Sequence, residues 1–360
     1  MDFVYRSSDV SGSVCTVITT DFAKAFDAVD HTVAVQCLLD LGVRPGLIPW
    51  ICSFMTDRQQ KVRYQGHLSD WEYPTCGVAQ GTVLGPIVFL ALINSALQDG
   101  PHHWKYVDDM TMAQSWKPKV PCTLQQTLNG LDTWVNEHKM KLNPKKCKVV
   151  HVTFMREKPA LPALSIDQNL LEVCDTVKVL GVTIQADLKW DSQVDYMLTS
   201  ANRKLFVLCR LKKFGVQDTE LVLIYTGYVR PVLEYAFPVW HSSLTVNQTK
   251  RLERVQKRAC KIILGRRYSG YTEALRTLTL CTLAERRTQL CLDFASKLFK
   301  SNFRNWLPPL RKEISGRQTR NGDDLDTPTC KTERYKKSPI PYMCRLLNDR
   351  FVFLGYWTFR

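Results

Sequence analysis

Val14-Cys15-Thr16-Val17-Ile18-Thr19-Thr20-Asp21 is dense in β-branched side chains and ends on a carboxylate. Such residues suit a pleated, half-buried surface better than a helix, so the stretch reads as a strand that delivers Asp21 at its C-terminal end. Farther along, His103–Val107 and Met110–Ala113 read as two short strands around Asp108-Asp109, a β-hairpin with two carboxylates at its tip. In an antiparallel sheet, neighbouring strand ends bring Asp21, Asp108 and Asp109 within one metal-binding radius. Hard oxygen ligands of this kind suit Mg²⁺ or Mn²⁺. Two such ions about 3.5–4 Å apart activate an attacking hydroxyl and stabilise a leaving oxygen in phosphoryl transfer. A lone Asp-Asp pair is ordinarily a turn or a cap, so the reading depends on what accompanies it.

The segments between these carboxylates are well punctuated. Asp30 reads as the N-cap of a helix through Val33, Ala34, Cys37, Leu38 and Leu41 that stops at Gly42. A second helix spans Gly46–Met55, and Gln60–Gln65 with Trp71–Thr75 read as a hairpin around His67–Asp70. Gly77–Gly81 is a glycine-bounded turn that leads into an apolar helix over Val83–Leu97, with Gly85-Pro86 in its first turn. Leu124, Leu128, Leu131 and Val135 lie on one face of an amphipathic helix. Val149–Phe154 reads as a strand, and Leu170–Val173 with Val177–Ile184 as a further hairpin.

After Asp191 the pattern turns helical. Val194–Phe214 is one helix and Asp218 caps the next. Val246–Leu264 carries an apolar stripe of Leu252, Val255, Ala259, Ile262 and Ile263, with Lys250, Arg251, Arg254, Lys257, Arg258 and Lys261 on its other faces. Residues 266–300 read as helical, residues 308–338 as a loop or linker rich in Pro, Gly, Thr and charge, and residues 339–360 as an aromatic segment.

Composition narrows the class. The chain has 360 residues, 45 % hydrophobic and 23 % charged, which is globular rather than disordered. No run of about eighteen apolar residues suggests a membrane span, and Met1-Asp2-Phe3-Val4-Tyr5-Arg6 has no signal-peptide core. The 13 cysteines are scattered singly, which fits reduced thiols and an intracellular protein, nuclear or cytoplasmic. The formal charge is +15 and is lopsided: residues 1–202 hold 18 Lys and Arg against 21 Asp and Glu, and residues 203–360 hold 31 against 13. Such a field suits a polyanion bound mainly by the second half, although a solvated basic surface gives the same count.

Three segments occur in order: Asp21-Phe22-Ala23-Lys24-Ala25-Phe26-Asp27, then Gly77-Val78-Ala79-Gln80-Gly81-Thr82-Val83-Leu84-Gly85-Pro86, then Tyr106-Val107-Asp108-Asp109. At this point the sequence resembles the reverse transcriptases of non-LTR (LINE-type) retrotransposons, the segments being similar to polymerase motifs A, B and C. Trp134 through Lys141-Leu142-Asn143-Pro144-Lys145-Lys146-Cys147 resembles motif D, and Val179-Leu180-Gly181-Val182-Thr183-Ile184 the primer-grip region. Tyr228–Ala236 and Leu252–Arg258 also match the stretch after the palm.

The resemblance implies an RNA-directed DNA polymerase that joins dNTPs to a DNA primer on an RNA template, with two Mg²⁺ or Mn²⁺ ions. It makes Asp21, Asp108 and Asp109 the metal-binding carboxylates and Lys146 the general acid for pyrophosphate. Lys24 would lie near the triphosphate, Phe26 would be the steric gate against a 2′-hydroxyl, and Gln80 and Gly81 would meet nucleotide and template. Leu180, Gly181 and Val182 would hold the primer end, and Arg251, Arg254, Lys257, Arg258 and Lys261 would lie on the nucleic-acid backbone.

The fold it implies is α+β, a right-hand palm of antiparallel strands with helices on one face, then a helical thumb-like domain. About twenty residues precede Asp21, so the expectation is that the fingers are largely missing. The expected division is a palm with partial fingers over 1–160, a primer-grip hairpin over 161–190, a basic helical region over 191–307, the linker over 308–338 and the aromatic segment over 339–360. Oligomeric state is open. Outside the family context, Asp27 and His31 read as a turn residue and a structural histidine, and Trp134 as core. An RNA-dependent RNA polymerase and a catalytically inactive nucleic-acid-binding remnant are the alternative functions; Phe26 argues against the first, and the basic second half motivates the second.

Overall fold

A computed structural model describes residues 1–98, 102–120, 122–157, 159–317 and 319–355, with side chains to residue 349. The elements run α1 (Asp2–Ser8), β1 (Val14–Thr20), α2 (His31–Asp40), α3 (Ile48–Met55), β2 (Arg63–Tyr64), β3 (His67–Leu68), α4 (Leu84–Ile93), β4 (His103–Tyr106), β5 (Asp109–Trp116) and α5 (Leu124–Glu137). They continue with β6 (Lys148–Thr153), β7 (Ser165–Ile166), β8 (Asn169–Leu170), β9 (Glu172–Val173), β10 (Thr176–Val179) and β11 (Val182–Gln185). The helices α6 (Asp191–Lys213), α7 (Asp218–Ile224), α8 (Phe237–Trp240), α9 (Val246–Leu264), α10 (Tyr271–Thr277), α11 (Leu283–Lys300), α12 (Arg311–Ser315), α13 (Glu333–Lys336) and α14 (Pro339–Gly355) complete the chain. Residues 12–180 form one compact unit, and residues 1–11 with 181–360 form the other. The fold is thus mixed α+β, with a largely antiparallel sheet in the first unit and helices dominating the second.

In the unit of residues 12–180, five strands pair in the order β4-β5-β1-β6-β9. Strand β1 lies in the middle, antiparallel to β5 and β6, with Ile18 opposite Met112 on one side and Val149 on the other. These three side chains are buried in one cluster with Ala34 and Leu38 of α2, Phe89 and Leu92 of α4, and Leu128 and Leu131 of α5. Each such side chain contributes about 1.5–3 kcal/mol through removal from water. Asp30 caps α2 as expected, its Oδ1 accepting from Val33 N–H at 3.0 Å. Burial of Trp134 agrees with its reading as core, and its Nε1–H donates to Ser95 Oγ at 3.0 Å.

Several expectations are corrected. The first hairpin turns at Gln65-Gly66, both at positive φ (+47° and +85°), so His67–Leu68 is strand instead of loop. The polar run misled because a two-residue turn needs left-handed backbone, which Gly66 supplies and the composition of His67–Asp70 does not. Leu170–Val173 is not one hairpin arm: Leu170 pairs within β7–β8, while Glu172–Val173 runs parallel to β6. Buried Leu171 between them turns the chain inward. The 161–190 region is divided between the two units at Leu180–Gly181.

In the other unit, α9 spans Val246–Leu264 as read from sequence, closed by a Thr245–Gln248 capping box. Its face of Leu252, Val255, Ala259 and Ile263 is buried, as are Met197, Ala201, Leu205 and Leu208 of the α6 helix packed along it. Ile262 is half-buried. Asp218 is no cap: Gln217 is, and the Asp218 carboxylate pairs with Lys212 and Arg267. The 308–338 stretch is not a bare linker, because it carries α12 and α13 and buries Leu325 and Tyr335. Residues 1–11 do not belong to the sheet unit. Tyr5 is buried, and Asp9 accepts from Lys331 N–H, Thr332 N–H and the Thr332 hydroxyl at 2.6–2.8 Å, holding the start of α13. Of the aromatic 339–360 segment, Pro339–Gly355 is helical and residues 356–360 lie outside the described residues.

His241 sits in this unit with Arg287, whose Nε–H donates to His241 Nδ1 at 3.3 Å, and Thr288 Oγ1 stands 3.2 Å from Nε2. A guanidinium beside Nδ1 assigns the proton to Nε2. Burial first, and the Arg287 charge second, push His241 down to about 4. The neutral ring is therefore favoured by folding, and its contribution is complete above the unfolded value near 6.5 and is lost as pH falls from there to about 4. The loss is on the order of 3 kcal/mol. Thermal midpoints measured from pH 7 to pH 4 should fall steeply for the native chain and less steeply for His241→Asn, with the slope that remains including His151, which burial also lowers.

Candidate active site

The site follows from register. Strand β1 pairs Thr20 with Met110 and Thr19 with Lys148, so the next position along β1 sets Asp21 beside Asp109 on one neighbour and beside Lys146 on the other. The pairing persists past the strand end: Phe22 bridges Leu142, and Asn143 N–H donates to Asp21 O at 2.8 Å. Lys146 N–H and Cys147 N–H both turn back onto Asn143 O. This turn brings the Lys146 ammonium to 3.2 Å from Asp21 Oδ2, a charge contact without the alignment of a hydrogen bond, since Oδ2 is buried with no donor directed at it.

Asp108 occupies the two-residue turn between β4 and β5, and Asp109 pairs with Tyr106 as the first residue of β5. Val107 holds φ +56° in this turn. A β-branched residue in the left-handed region is strained by about 1–3 kcal/mol and persists only where its surroundings impose it. One imposing contact is Lys105, whose ammonium donates to the carbonyls of Ile93, Asn94 and Ala96 at 3.4, 2.7 and 2.8 Å, closing the C-terminal end of α4. Burial raises the Asp109 carboxyl above the usual carboxylate range, and the Asp108 and Asp21 charges raise it further. The three carboxylates thus feel one another. Among the described residues, however, no group of three His, Cys, Asp or Glu side chains is gathered closely enough to hold a metal ion.

The glycine-bounded turn is latched to the first carboxylate segment. Val78 N–H donates to Phe26 O and Gly77 N–H to Val29 O, while Gly77 O accepts from Arg58 Nη2 at 2.7 Å and lies 2.8 Å from His31 Nε2. His31 is structural, as read. Gln80 Nε2 donates to Asp27 Oδ1 at 3.0 Å, so its amide is committed to Asp27 in this structure. Phe26 is half-buried and stacks on Phe89 at 4.5 Å between centroids. Lys24 is exposed at φ +54°, its carbonyl accepting from Asp27 and Ala28 N–H. Gly81 has φ +79° with open space beside it.

Leu180, the last residue of the sheet unit, has positive φ, and in the other unit Gly181 (φ +81°) lies against Tyr235. Of the α9 cations, Arg251 is paired with Asp195, and Arg258 donates to Asn202 at 3.4 Å. Lys257 and Lys261 lie over Tyr271 and Tyr268, and Arg254 is exposed. Sequence reasoning missed Lys105 and Arg58. Each acts through backbone groups, and a side chain that holds a distant carbonyl leaves no spacing signature.

Comparison with known proteins adds a family. Residues 5–184 match the family described as "Reverse transcriptase (RNA-dependent DNA polymerase)". Curated relatives include a probable RNA-directed DNA polymerase from transposon BS of Drosophila melanogaster, 23 % identical over 83 % of this chain and 35 % of its own length. The RNA-directed DNA polymerase from mobile element jockey of the same organism is 24 % identical over 65 % of this chain and 28 % of its own length. A Pol polyprotein from the type-1 element R2 of Popillia japonica is 23 % identical over 55 % and 37 %. The chain spans about a third of the length of these relatives. Among solved structures, a telomerase from Candida tropicalis aligns over 84 % of this chain and 50 % of its own with 12 % identity and a TM-score of 0.40.

Gly77 and Gly81 share a positive φ but differ in surroundings. A Cβ on Gly77 would stand 2.8 Å from Asp27 O, whereas one on Gly81 would meet nothing within 4 Å. Gly81→Ala should cost about 1 kcal/mol of stability from backbone strain alone. Gly77→Ala should cost on the order of 3 kcal/mol, because the Asp27 backbone must move as well. Urea titration of both variants measures the difference; equal costs would mean that the latch between the two turns does not hold.

Proposed function

The chain belongs to the reverse transcriptase family, the relatives being polymerases of non-LTR retrotransposons, and on that premise we propose that it carries RNA-directed DNA polymerase activity. The observation that supports this most is the strand register that sets Asp21 beside Asp109, with Asp108 in the adjoining turn. Its reaction is attack of a primer 3′-hydroxyl on the α-phosphate of a dNTP, with pyrophosphate leaving. The family uses divalent ions, and the donor set here fits them: three hard carboxylates that repel one another, with Asp21 Oδ2 lacking a donor. Asp21, Asp108 and Asp109 are the residues to hold two Mg²⁺ or Mn²⁺ ions. When bound, such ions lower the pKa of the attacking hydroxyl and neutralise charge on the phosphates.

The chain's own groups do the rest. Lys146, 3.2 Å from Asp21, gives a proton to the departing pyrophosphate, a role its ion pair with that carboxylate supports. Phe26, fixed against Phe89, forms a wall that excludes a 2′-hydroxyl and so selects dNTP. Lys24 meets the triphosphate, and Gly81 lets backbone approach nucleotide and template. Gln80 joins that contact by exchanging its bond to Asp27 for one to the ligand. The turn at Leu180, Gly181 and Val182 is the primer grip. Arg254, Lys257, Arg258 and Lys261, with Arg251 only on release from Asp195, meet the nucleic-acid backbone. Residues 12–180 correspond to a palm and residues 181–307 to a thumb-like region.

A second reading, a nucleic-acid-binding protein without catalysis, draws support from the lack of a gathered three-ligand group among the described residues. Primer extension on an RNA template with dNTPs and Mg²⁺ or Mn²⁺ separates the two. Extension is expected, with a loss of at least about 10²–10³-fold in Asp108→Ala/Asp109→Ala. Equal signals from native and variant chains, with binding retained, would leave only the second reading.

A further inference from the structure

Residues 59–73 form an arm in which every residue is exposed, although it carries Val62, Tyr64, Leu68, Trp71 and Tyr73. Its base is firmly held. Arg58 donates to Met55 O and Gly77 O at 2.9 and 2.7 Å, and Cys76 Sγ lies 3.3 Å from Asp27 O. The arm therefore stands beside the latched turns of the candidate active site, in the same unit.

Two registers meet along it. Near the tip, Arg63 faces Leu68, Tyr64 faces His67, and Ser69 N–H donates to Val62 O. At the base, Gln60 faces Glu72. Between these pairs the outgoing strand has only Lys61 where the returning strand has both Asp70 and Trp71, which is a β-bulge. The bulge turns Trp71 onto the face of Lys61, whose ammonium sits 4.3 Å from the indole centroid. Lys61, Arg63, Leu68, Asp70 and Trp71 share one face, on which Asp70 is the single acid, and Gln60, Val62, Tyr64, His67 and Glu72 share the other. Among the described residues, Arg63 has no ion pair.

The geometry points to this first face as a binding surface for single-stranded nucleic acid. One side of the Trp71 indole carries a cation, and the residue is 54 % exposed, which leaves surface for an unpaired base to stack on. Arg63 and Lys61 flank that position and suit the phosphates on either side of the base. A protein partner would need a wider apolar surface than Leu68 and Trp71 provide, and a duplex offers no unstacked base. The binding stands on the arm's own chemistry; that the strand is the template of the candidate active site rests on the function proposed above.

Fluorescence anisotropy with a fluorescein-labelled 20-nucleotide single strand, RNA or DNA, tests this on the full chain. Trp71→Ala should weaken binding by at least about fivefold, while Tyr64→Ser on the opposite face should change it by less than about twofold. Lys61→Gln/Arg63→Gln should flatten the dependence of log K on log salt by about 1.4, since each lost phosphate contact removes about 0.7. The same strand annealed into a duplex should show neither effect. Equal losses from Trp71→Ala and Tyr64→Ser, an unchanged salt slope, or a change in sedimentation from dimer to monomer with binding intact would each overturn the assignment. Primer extension distinguishes the two readings. Trp71-dependent binding without extension keeps the arm and removes the polymerase, and extension with binding indifferent to Trp71 does the reverse.

Discussion

The sheet depends on the register of β1. Because side chains alternate along a strand, a slip of one residue would send Ile18 away from the helices and carry Asp21 away from Asp109 and Lys146. Apolar pairing alone holds register loosely, since Val, Ile and Met tolerate repacking. A buried polar set fixes it more tightly. Thr16 Oγ1 accepts from Trp116 Nε1–H at 2.9 Å and stands 2.9 Å from His151 Nδ1, linking β5, β1 and β6 through one hydroxyl. Any slip breaks both bonds inside the core, at about 1–3 kcal/mol for each group left unpaired.

With β1 fixed, the turns decide how the functional groups are presented. Lys24 and Val107 both take left-handed backbone beside the carboxylates, and Gly77 takes it in the facing turn. None of these turns is free to relax. The Lys24 carbonyl accepts two N–H groups, the strand leading into Val107 is tied to α4 through Lys105, and the Gly77 carbonyl is met by Arg58 and His31. Three left-handed conformations, unfavourable at Lys24 and Val107 and available to Gly77 because it lacks a Cβ, are thereby held together around one site. That is what pre-organisation requires, because a charge cluster assembled only on ligand arrival would spend binding free energy on its own ordering.

What could be read from sequence follows the range of the forces involved. Local rules identified β1, the Asp30 cap, the amphipathic stripe of α5 and the limits of α9, because propensity, capping and period act within a few residues. The reading erred where backbone sign mattered, as at Gln65-Gly66, and where a distant partner decided. Tyr5 and Asp9 belong with residues some 240 and 320 positions away, so the first eleven residues left no local sign of their unit. At the site, the carboxylates were legible because their chemistry is written in their own side chains. Lys105 and Arg58 were not, because their partners are carbonyls, which every residue has.

Net charge was the weakest guide. The second half of the chain carries the excess of Lys and Arg, yet Arg251 is paired with Asp195, Arg267 with Asp218 and Arg286 with Glu234. Each pair removes a cation from the set that a phosphate would meet, or requires the acid to be displaced first. The arm at residues 59–73 reverses the case. Its two cations equal its two acids in number, but the bulge separates Lys61 and Arg63 from Glu72 and brings Trp71 beside Lys61, leaving Asp70 as the one acid on their face. A polyanion responds to charge at the distance of contact, within a Debye length of about 8–10 Å, and not to a total over the chain. On the proposed reading, what a nucleic acid would meet is therefore set by which cations the fold leaves unpaired and beside an open ring, and a strand bulge of one residue helps to decide that.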